Sequence, residues 1–163
     1  MRVERYFAFA DLSGFTQFTD AHGDEMSVDV LIAFREATRR IATDFGVRIA
    51  KWLGDGCMLV SVEARQLVAA TLELDRLLEQ RSLPLTLHAG LAGGQVILLE
   101  GDDYTGTTVN LASRLCDAAA PRGILATTEM AASAAADVRR QPIGPMSIQG
   151  LQKAVEVVRL SRA

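Results

Sequence analysis

Two aspartates stand at positions where the chain could hold a divalent metal ion. Asp11 follows the apolar, aromatic-rich residues 6–10, and Asp55 lies between two glycines in Gly54-Asp55-Gly56. Mg²⁺ and Mn²⁺ prefer oxygen ligands, so two carboxylates held at strand ends could bind such an ion. If the loop after Asp11 leads into a helix, its N–H groups could also face phosphate oxygens. The structural alternative is that Asp55 only forms a turn and Asp11 only caps a helix, and spacing alone does not decide.

A second pair of polar residues, Asn110 and Arg114, is spaced by four positions. A helix would place both side chains on one face. Arg can bind phosphate oxygens bidentately, and Asn can both donate and accept hydrogen bonds. The alternative interpretation is an ordinary solvated helix face, which long charged side chains commonly cover.

Two further residues are less informative alone. Lys51 and Arg48 are the charges of the otherwise apolar segment 47–53. On an alternating strand Lys51 shares parity with Asp55, although the turn interrupts the count. His88 stands alone in an apolar stretch, which is more typical of a satisfied core histidine than of a ligand.

The elements that must position these residues follow from hydrophobic periodicity and turn signals. A helical region is expected soon after Ser13-Gly14, Gly54-Asp55-Gly56 predicts a hairpin turn, and Gly93-Gly94 is expected to join two strands. The predicted helices span 26–45, 64–79, 107–119 and 128–135, and the predicted strands span 5–10, 47–53, 57–62, 85–91, 95–99, 124–127, 143–148 and 154–160. The order β-α-β-β-α-β predicts an α+β, ferredoxin-like sandwich core with a C-terminal extension. Two helices would cover one face of its sheet and leave the other face open.

Composition limits the class of protein. The 163 residues are 49% hydrophobic and 23% charged, with a net charge of −3. These values predict one globular domain over residues 1–163 and give no electrostatic footprint for nucleic acid or an anionic membrane. The two cysteines, Cys57 and Cys116, exclude a disulfide framework and suit a reducing compartment. Without an apolar run of membrane-spanning length or a signal-peptide pattern, we expect a cytoplasmic protein.

Three segments taken in order carry a family resemblance. They are residues 9–16 (FADLSGFT), residues 51–56 (KWLGDG) and residues 101–114 (GDDYTGTTVNLASR). Together they closely resemble the catalytic domain of class III adenylate/guanylate cyclases, and the resemblance extends from about residue 6 to residue 160. Each motif is moderately specific, whereas the ordered set is highly specific.

The resemblance implies a role for the residues of the first two motifs. Asp11 and Asp55, with the backbone carbonyl of Leu12, match the ligands of two divalent metal ions, Mg²⁺ or Mn²⁺. Phe15 and Thr16 match the loop whose amides contact the triphosphate.

Four other residues would act on the nucleotide. Lys51 and Asp103 match the pair that reads the purine edge, and Lys with Asp is the adenine-type combination. Asn110 would orient the ribose, and Arg114 would stabilise charge on the α-phosphate in the transition state. In such enzymes these residues face the metal aspartates of another subunit. The resemblance therefore implies a head-to-tail homodimer with two composite sites, in which the partner covers the open sheet face.

Two positions depart from the family pattern. Where members often read Leu-Lys-Gly with a phosphate-binding lysine, this chain reads Ile148-Gln149-Gly150. A second phosphate-binding arginine is usual four residues before the strand histidine, and that position is Pro84. Each lost cation removes a charge-assisted contact of ~1–3 kcal/mol, so we expect weaker triphosphate binding unless metal and loop amides compensate. Lys153 is near enough in sequence to replace the lysine.

The sequence therefore predicts an adenylate cyclase that converts ATP to 3′,5′-cyclic AMP and pyrophosphate by two-metal chemistry. The alternative from another class is a non-catalytic nucleotide-binding or dimerisation module derived from a cyclase, which the two missing cations favour. A guanylate or promiscuous cyclase is a third possibility, and Lys51 with Asp103 argues against it.

Overall fold

The computed structural model describes residues 1–101 and 103–163, so Asp102 of the third motif lies outside the described residues. Its helices are α1 (Phe15–His22), α2 (Asp24–Phe45), α3 (Ala64–Gln80), α4 (Thr107–Ala119) and α5 (Thr128–Ala132). Its strands are β1 (Arg2–Leu12), β2 (Arg48–Leu53), β3 (Gly56–Ser61), β4 (Leu87–Leu98), β5 (Tyr104–Thr105), β6 (Gly123–Thr127), β7 (Arg139–Met146) and β8 (Val155–Ser161).

The strands form one sheet in the order β2-β3-β1-β4-β6-β8-β7, with β5 added to the end of β4. The first four strands are antiparallel neighbours and give the predicted ferredoxin-like core, with β3 and β1 at its centre. Strand β6 joins β4 in parallel, and the β7–β8 hairpin extends the sheet. The predicted α+β class with a C-terminal extension is confirmed.

The two faces of the sheet are covered differently. Helices α2 and α3 pack on one face against alternate residues of β1, such as Ala8 and Ala10. Helix α4 packs on the other face, where Phe7, Met58 and Ala112 share a second cluster. The face predicted to be open is thus partly covered by α4 of the same chain, because a 13-residue amphipathic helix needs a surface on which to bury Ala112 and Leu115.

Helix α4 approaches the sheet closely at one glycine. A Cβ placed on Gly90 would lie 2.2 Å from the backbone N of Cys116 and 2.4 Å from the carbonyl O of Ala112. Those are backbone atoms of a helix and cannot move aside as a side chain could. Glycine in the middle of β4 is therefore what lets α4 lie directly on the sheet.

A bulge in β2 determines which side chains face the helices. Ile49 pairs with Leu59 and Lys51 pairs with Met58, so Ala50 is an extra residue in the strand. After this shift Trp52 joins Ile49 on the α2 side, while Lys51 turns to the face that carries α4. Lys51 and Asp55 are therefore not related by simple alternation.

Most predicted elements are close to the observed ones, with three corrections. The two strands predicted at 85–91 and 95–99 are one strand, β4, because Gly93 pairs with Tyr6 inside the ladder. A Cβ on Gly93 would lie 2.1 Å from the Tyr6 ring, so this glycine makes room for an aromatic side chain. The strand predicted at 143–148 is observed as Arg139–Met146, and the helix predicted to reach residue 135 ends at Ala132. The predicted helix 107–119 is confirmed.

Over residues 1–101 and 103–163 the structure has no helix that is long and apolar enough to cross a membrane.

Candidate functional site

The two aspartates singled out in the sequence lie next to each other at one end of the core sheet. Asp11, the second-last residue of β1, pairs with Gly56 on one side and His88 on the other. Asp55 forms the β2–β3 turn, and its carbonyl accepts a hydrogen bond from the Leu12 N–H at 3.2 Å. A Cβ on Gly56 would lie 2.8 Å from Asp11 Oδ1, so the glycine after Asp55 makes room for the Asp11 carboxylate. Asp11 does not cap a helix, because α1 begins after Gly14.

A cavity of about 610 Å³ opens in front of both carboxylates. The loop after β1 forms one wall of it, including Phe15 and Thr16 at the start of α1. Leu12 also lines the cavity, and because its side chain is buried in the core its main chain is the part available to a ligand. Phosphate oxygens would meet main-chain groups here, as the loop position predicts.

The ionised form of Asp11 is destabilised by its surroundings in the protein. Burial and then the neighbouring Asp55 carboxylate raise the pKa of Asp11, His88 opposes the shift, and the resulting pKa is about 6. Two adjacent carboxylates in this state suit a divalent cation, which would offset their repulsion. Among the described residues there is no group of three or more His, Cys, Asp or Glu arranged for a metal. Ions held by Asp11, Asp55 and the Leu12 carbonyl would complete their coordination with water or substrate phosphates, as Mg²⁺ commonly does.

His88 is buried as expected, yet it also belongs to this site. Its Nε2 lies 3.6 Å from Asp11 Oδ2, and its Nδ1 lies 2.7 Å from the carbonyl O of Cys116 in α4. The histidine thus links a site carboxylate to the helix on the sheet. Its role follows from the β1–β4 register, which pairs Asp11 with His88 and which hydrophobic periodicity does not specify.

The predicted purine-reading pair is formed within the chain. Lys51 Nζ lies 3.1 Å from Asp103 Oδ1, and both side chains are about half exposed, at 45% and 50%. The Lys51 hydrogen bond, helped by the Tyr104 N–H at 2.9 Å, lowers the pKa of Asp103. Tyr104 is in turn fixed by its ring contact with Phe7 and by Arg48, which donates to its hydroxyl at 3.0 Å.

Asn110 and Arg114 lie on the exposed side of α4, as their spacing predicted. Arg114 is 49% exposed, and within the described chain its ion-pair partner is Asp117 at 3.8 Å. A solvent-exposed pair of this length holds an arginine only weakly. Arg114 is therefore free to take another anionic partner.

The candidate residues fall into two separate groups. Asp11 borders two cavities, and neither Lys51 nor Asp103 nor Arg114 lines either of them. One chain thus brings together Asp11, Leu12, Asp55, Phe15 and Thr16, and it separately pairs Lys51 with Asp103. It does not bring the two groups to one cavity.

The two positions that depart from the family pattern, and the suggested replacement Lys153, are all exposed. Pro84 lies in the loop before β4, and Gln149 and Lys153 lie in the connection between β7 and β8. None of the three lines the cavity in front of Asp11. The replacement of the missing lysine by Lys153 stays a prediction.

Residues 6–161 match the family described as the adenylate and guanylate cyclase catalytic domain, and the chain belongs to this family. The fold agrees. The structure superposes on the adenylyl cyclase CyaB from P. aeruginosa with a TM-score of 0.84 at 24% identity, covering 100% of this chain and 96% of that one. It superposes on the guanylyl cyclase Cya2 with a TM-score of 0.83 at 20% identity, covering 100% and 94%.

Relatives in sequence are longer proteins. An adenylate cyclase of Streptomyces coelicolor is 34% identical over 132 residues, which are 79% of this chain and 34% of that protein. An uncharacterized protein of Mycobacterium tuberculosis is 42% identical over 122 residues, or 75% of this chain and 32% of its own length. The chain therefore spans about a third of the length of these relatives.

Proposed function

We propose that the chain is the catalytic part of an adenylate cyclase, which converts ATP to 3′,5′-cyclic AMP and pyrophosphate. In this reaction the ribose 3′-oxygen attacks the α-phosphorus, the 3′-OH proton is lost, and pyrophosphate leaves. Membership of the cyclase family and the relatives named adenylate cyclase support the reaction class.

The observation that carries the choice of adenine is the preformed Lys51–Asp103 pair. A lysine only donates hydrogen bonds and an ionised aspartate only accepts them. Adenine offers an amino donor next to a ring acceptor, which is the complement of this pair. Guanine offers an acceptor next to a donor, so it would need the two residues in reversed order.

The other residues act on the phosphates. Asp11, Asp55 and the Leu12 carbonyl would hold two divalent ions, which lower the pKa of the 3′-OH and offset charge on the pyrophosphate. The main chain at Phe15 and Thr16 would contact the triphosphate. Arg114 would reach the α-phosphate, where negative charge develops in the transition state and a preorganised cation is most effective. Asn110 would hold the ribose in line.

The separation of the two groups within one chain supports a dimeric enzyme. A two-fold dimer buries the same surface patch on both chains, so the carboxylates of one chain can meet the Lys51–Asp103 pair and Arg114 of the other. Such a head-to-tail homodimer has two equal sites. If the dimer is weak, specific activity rises with protein concentration.

The test is direct. The chain is incubated with Mn²⁺ and either ATP or GTP, and cyclic nucleotides are separated by chromatography. Cyclic AMP from ATP with little cyclic GMP is expected, and it should be lost in the Asp55→Ala variant. A predominance of cyclic GMP would contradict the adenine assignment. Binding of ATP with no product from either nucleotide would instead identify a non-catalytic nucleotide-binding module.

A further inference from the structure

The cavity in front of Asp11 and Asp55 is short of positive charge. Among its described lining residues there is no lysine or arginine, and His88 is the one side chain of a type that can be a cation. A triphosphate is strongly anionic, and metal ions offset only the charge that they contact. The usual arginine position is occupied by Pro84, an exposed residue of the loop before β4. The chain must therefore bring a cation to the β- and γ-phosphates from elsewhere if it binds them well.

We propose that Arg122 is this cation, a phosphate-binding residue that replaces the arginine missing at Pro84. The proposal rests on the proposed function, since it assigns a residue to the triphosphate end of the same site. Arg122 comes directly after Pro121, which lines the cavity, and it precedes β6.

The backbone before Arg122 is fixed at the cavity. The carbonyl of Pro121 accepts hydrogen bonds from Ser13 Oγ and, at 3.0 Å, from Thr86 Oγ1. Ser13 and Thr86 both line the cavity, and the Ser13 N–H donates to the Thr86 carbonyl at 2.8 Å. The loop after β1, the segment before β4 and the loop after α4 thus meet at one point, and Arg122 begins there.

Arg122 lines a neighbouring groove. This groove of about 220 Å³ is lined by Arg122, Leu85 and Thr86 among others, so Thr86 forms a wall shared with the larger cavity. Rotation about the side-chain torsions of Arg122 would carry its guanidinium across Thr86 toward the phosphates. This rotation leaves the backbone in place. The Arg122 carbonyl stays fixed as the acceptor of a hydrogen bond from Arg159 Nη1 at 3.2 Å.

The present partner of Arg122 is easily given up. Arg122 Nη2 lies 3.6 Å from Glu79 Oε2, and the two side chains are 61% and 57% exposed. Exposed pairs of this length contribute little. Glu79 is held more tightly by Arg162, whose Nη2 lies 2.5 Å from the same oxygen. Glu79 therefore keeps a partner when Arg122 leaves, whereas Arg162 is engaged by both Glu79 and Asp75.

The test measures binding of Mn²⁺-pyrophosphate to the chain by calorimetry, beside turnover of ATP. Arg122→Ala is expected to weaken pyrophosphate binding about tenfold, since a charge-assisted contact to phosphate is lost, and to raise KM for ATP more than it lowers kcat. Binding of AMP, which has no β- or γ-phosphate, should stay within twofold. Arg122→Lys should recover part of the loss. Arg65→Ala, the same charge change at an exposed site on α3, is the matched control and should leave all values unchanged.

The Glu79→Gln variant tests the release of Arg122 and is expected to tighten pyrophosphate binding. Equal pyrophosphate affinity in Arg122→Ala and the original chain, or the absence of pyrophosphate binding altogether, would overturn the proposal. A chain that binds pyrophosphate through Arg122 but makes no cyclic AMP would contradict the proposed function and leave this assignment standing.

Discussion

The two groups of candidate residues are built in different ways. Asp11 and Asp55 are adjacent because a strand ladder and a two-residue turn place them there, and Asp11 is fixed by its neighbours Gly56 and His88. Lys51 and Asp103 come from a bulged strand and from the short connection before β5, and they are half exposed. Arg114 stands on an exposed helix face. The first group is held in place by backbone pairing but lacks the cations that would neutralise its carboxylates. The second group is exposed to solvent but does not face those carboxylates within the same chain.

The largest loss of activity should come from replacing one of the two aspartates, Asp11 and Asp55. Replacing Asp55 with Ala removes half of the carboxylates that would hold the ions, and we expect cyclic AMP production to fall at least about a thousandfold. The variant should keep its far-ultraviolet circular dichroism, since Asp55 is a turn residue between Gly54 and Gly56. Substantial turnover would contradict the metal assignment.

Mixing variants of the two groups tests whether they belong to different chains of one site. Asp55→Ala and Arg114→Ala are each expected to be inactive, yet an equal mixture should recover about a quarter of the original activity, because half of randomly formed dimers carry one intact composite site. The measurement is activity against mixing ratio. Recovery near zero at protein concentrations where dimers form would contradict the composite site.

The close contact between α4 and the sheet at Gly90 should contribute to the stability of the fold. Gly90→Ala places a Cβ against helix backbone, and we expect the free energy of unfolding to fall by about 3 kcal/mol in urea titrations. Gly93→Ala is the matched comparison, since its Cβ meets the Tyr6 ring, a side chain that can shift, and the loss should be smaller. Equal losses would mean that the close approach of α4 is not the cause.

A smaller change is expected from the exposed pair. Lys51→Glu combined with Asp103→Cys should move the preference between ATP and GTP toward GTP by about 10- to 100-fold in kcat/KM, because donor and acceptor are exchanged. Kinetics with both nucleotides measure the ratio. An unchanged preference would mean that other residues read the purine.

The raised pKa of Asp11 should make the stability of the protein depend on pH. With its pKa raised to about 6 by burial and by Asp55, Asp11 binds a proton more tightly in the folded chain than in the unfolded one. The stability that protonation contributes is present below the unfolded pKa and is lost as pH rises through about 6. In EDTA, Asp11→Asn should therefore be more stable than the original chain at pH 7 but not at pH 4. A constant difference between those pH values would contradict this.

Much of this organisation could be predicted from the sequence. A stop signal after residue 119 predicted where α4 ends, and the Asp-Gly turn predicted the β2–β3 hairpin. The order of the elements predicted the ferredoxin-like core. These features depend on local patterns, which a single sequence contains.

What could not be predicted depends on contacts between distant residues. His88 was expected to be a core residue because its link to Asp11 exists only through strand register. Gly93-Gly94 was expected to be a turn because a glycine pair is typical of turns. Here Gly93 instead makes room for the Tyr6 ring, a contact 87 positions away in sequence. The face of the sheet on which Lys51 lies depends on the bulge at Ala50. No sequence pattern in β2 indicates this bulge.

That bulge interrupts the alternation of side chains between the two faces of β2. Before it, odd-numbered Ile49 faces the helices, and after it, even-numbered Trp52 does. Deletion of Ala50 would remove the bulge and leave Lys51 paired with Met58, on its present face. If β2 instead kept its length and lost the bulge, Ala50 would pair with Met58, and Lys51 and Trp52 would exchange environments. The proposed contact of Lys51 with a nucleobase therefore depends on where β2 accommodates its extra residue, and a β2 of the same length without the bulge would lose that contact even if every site residue were retained.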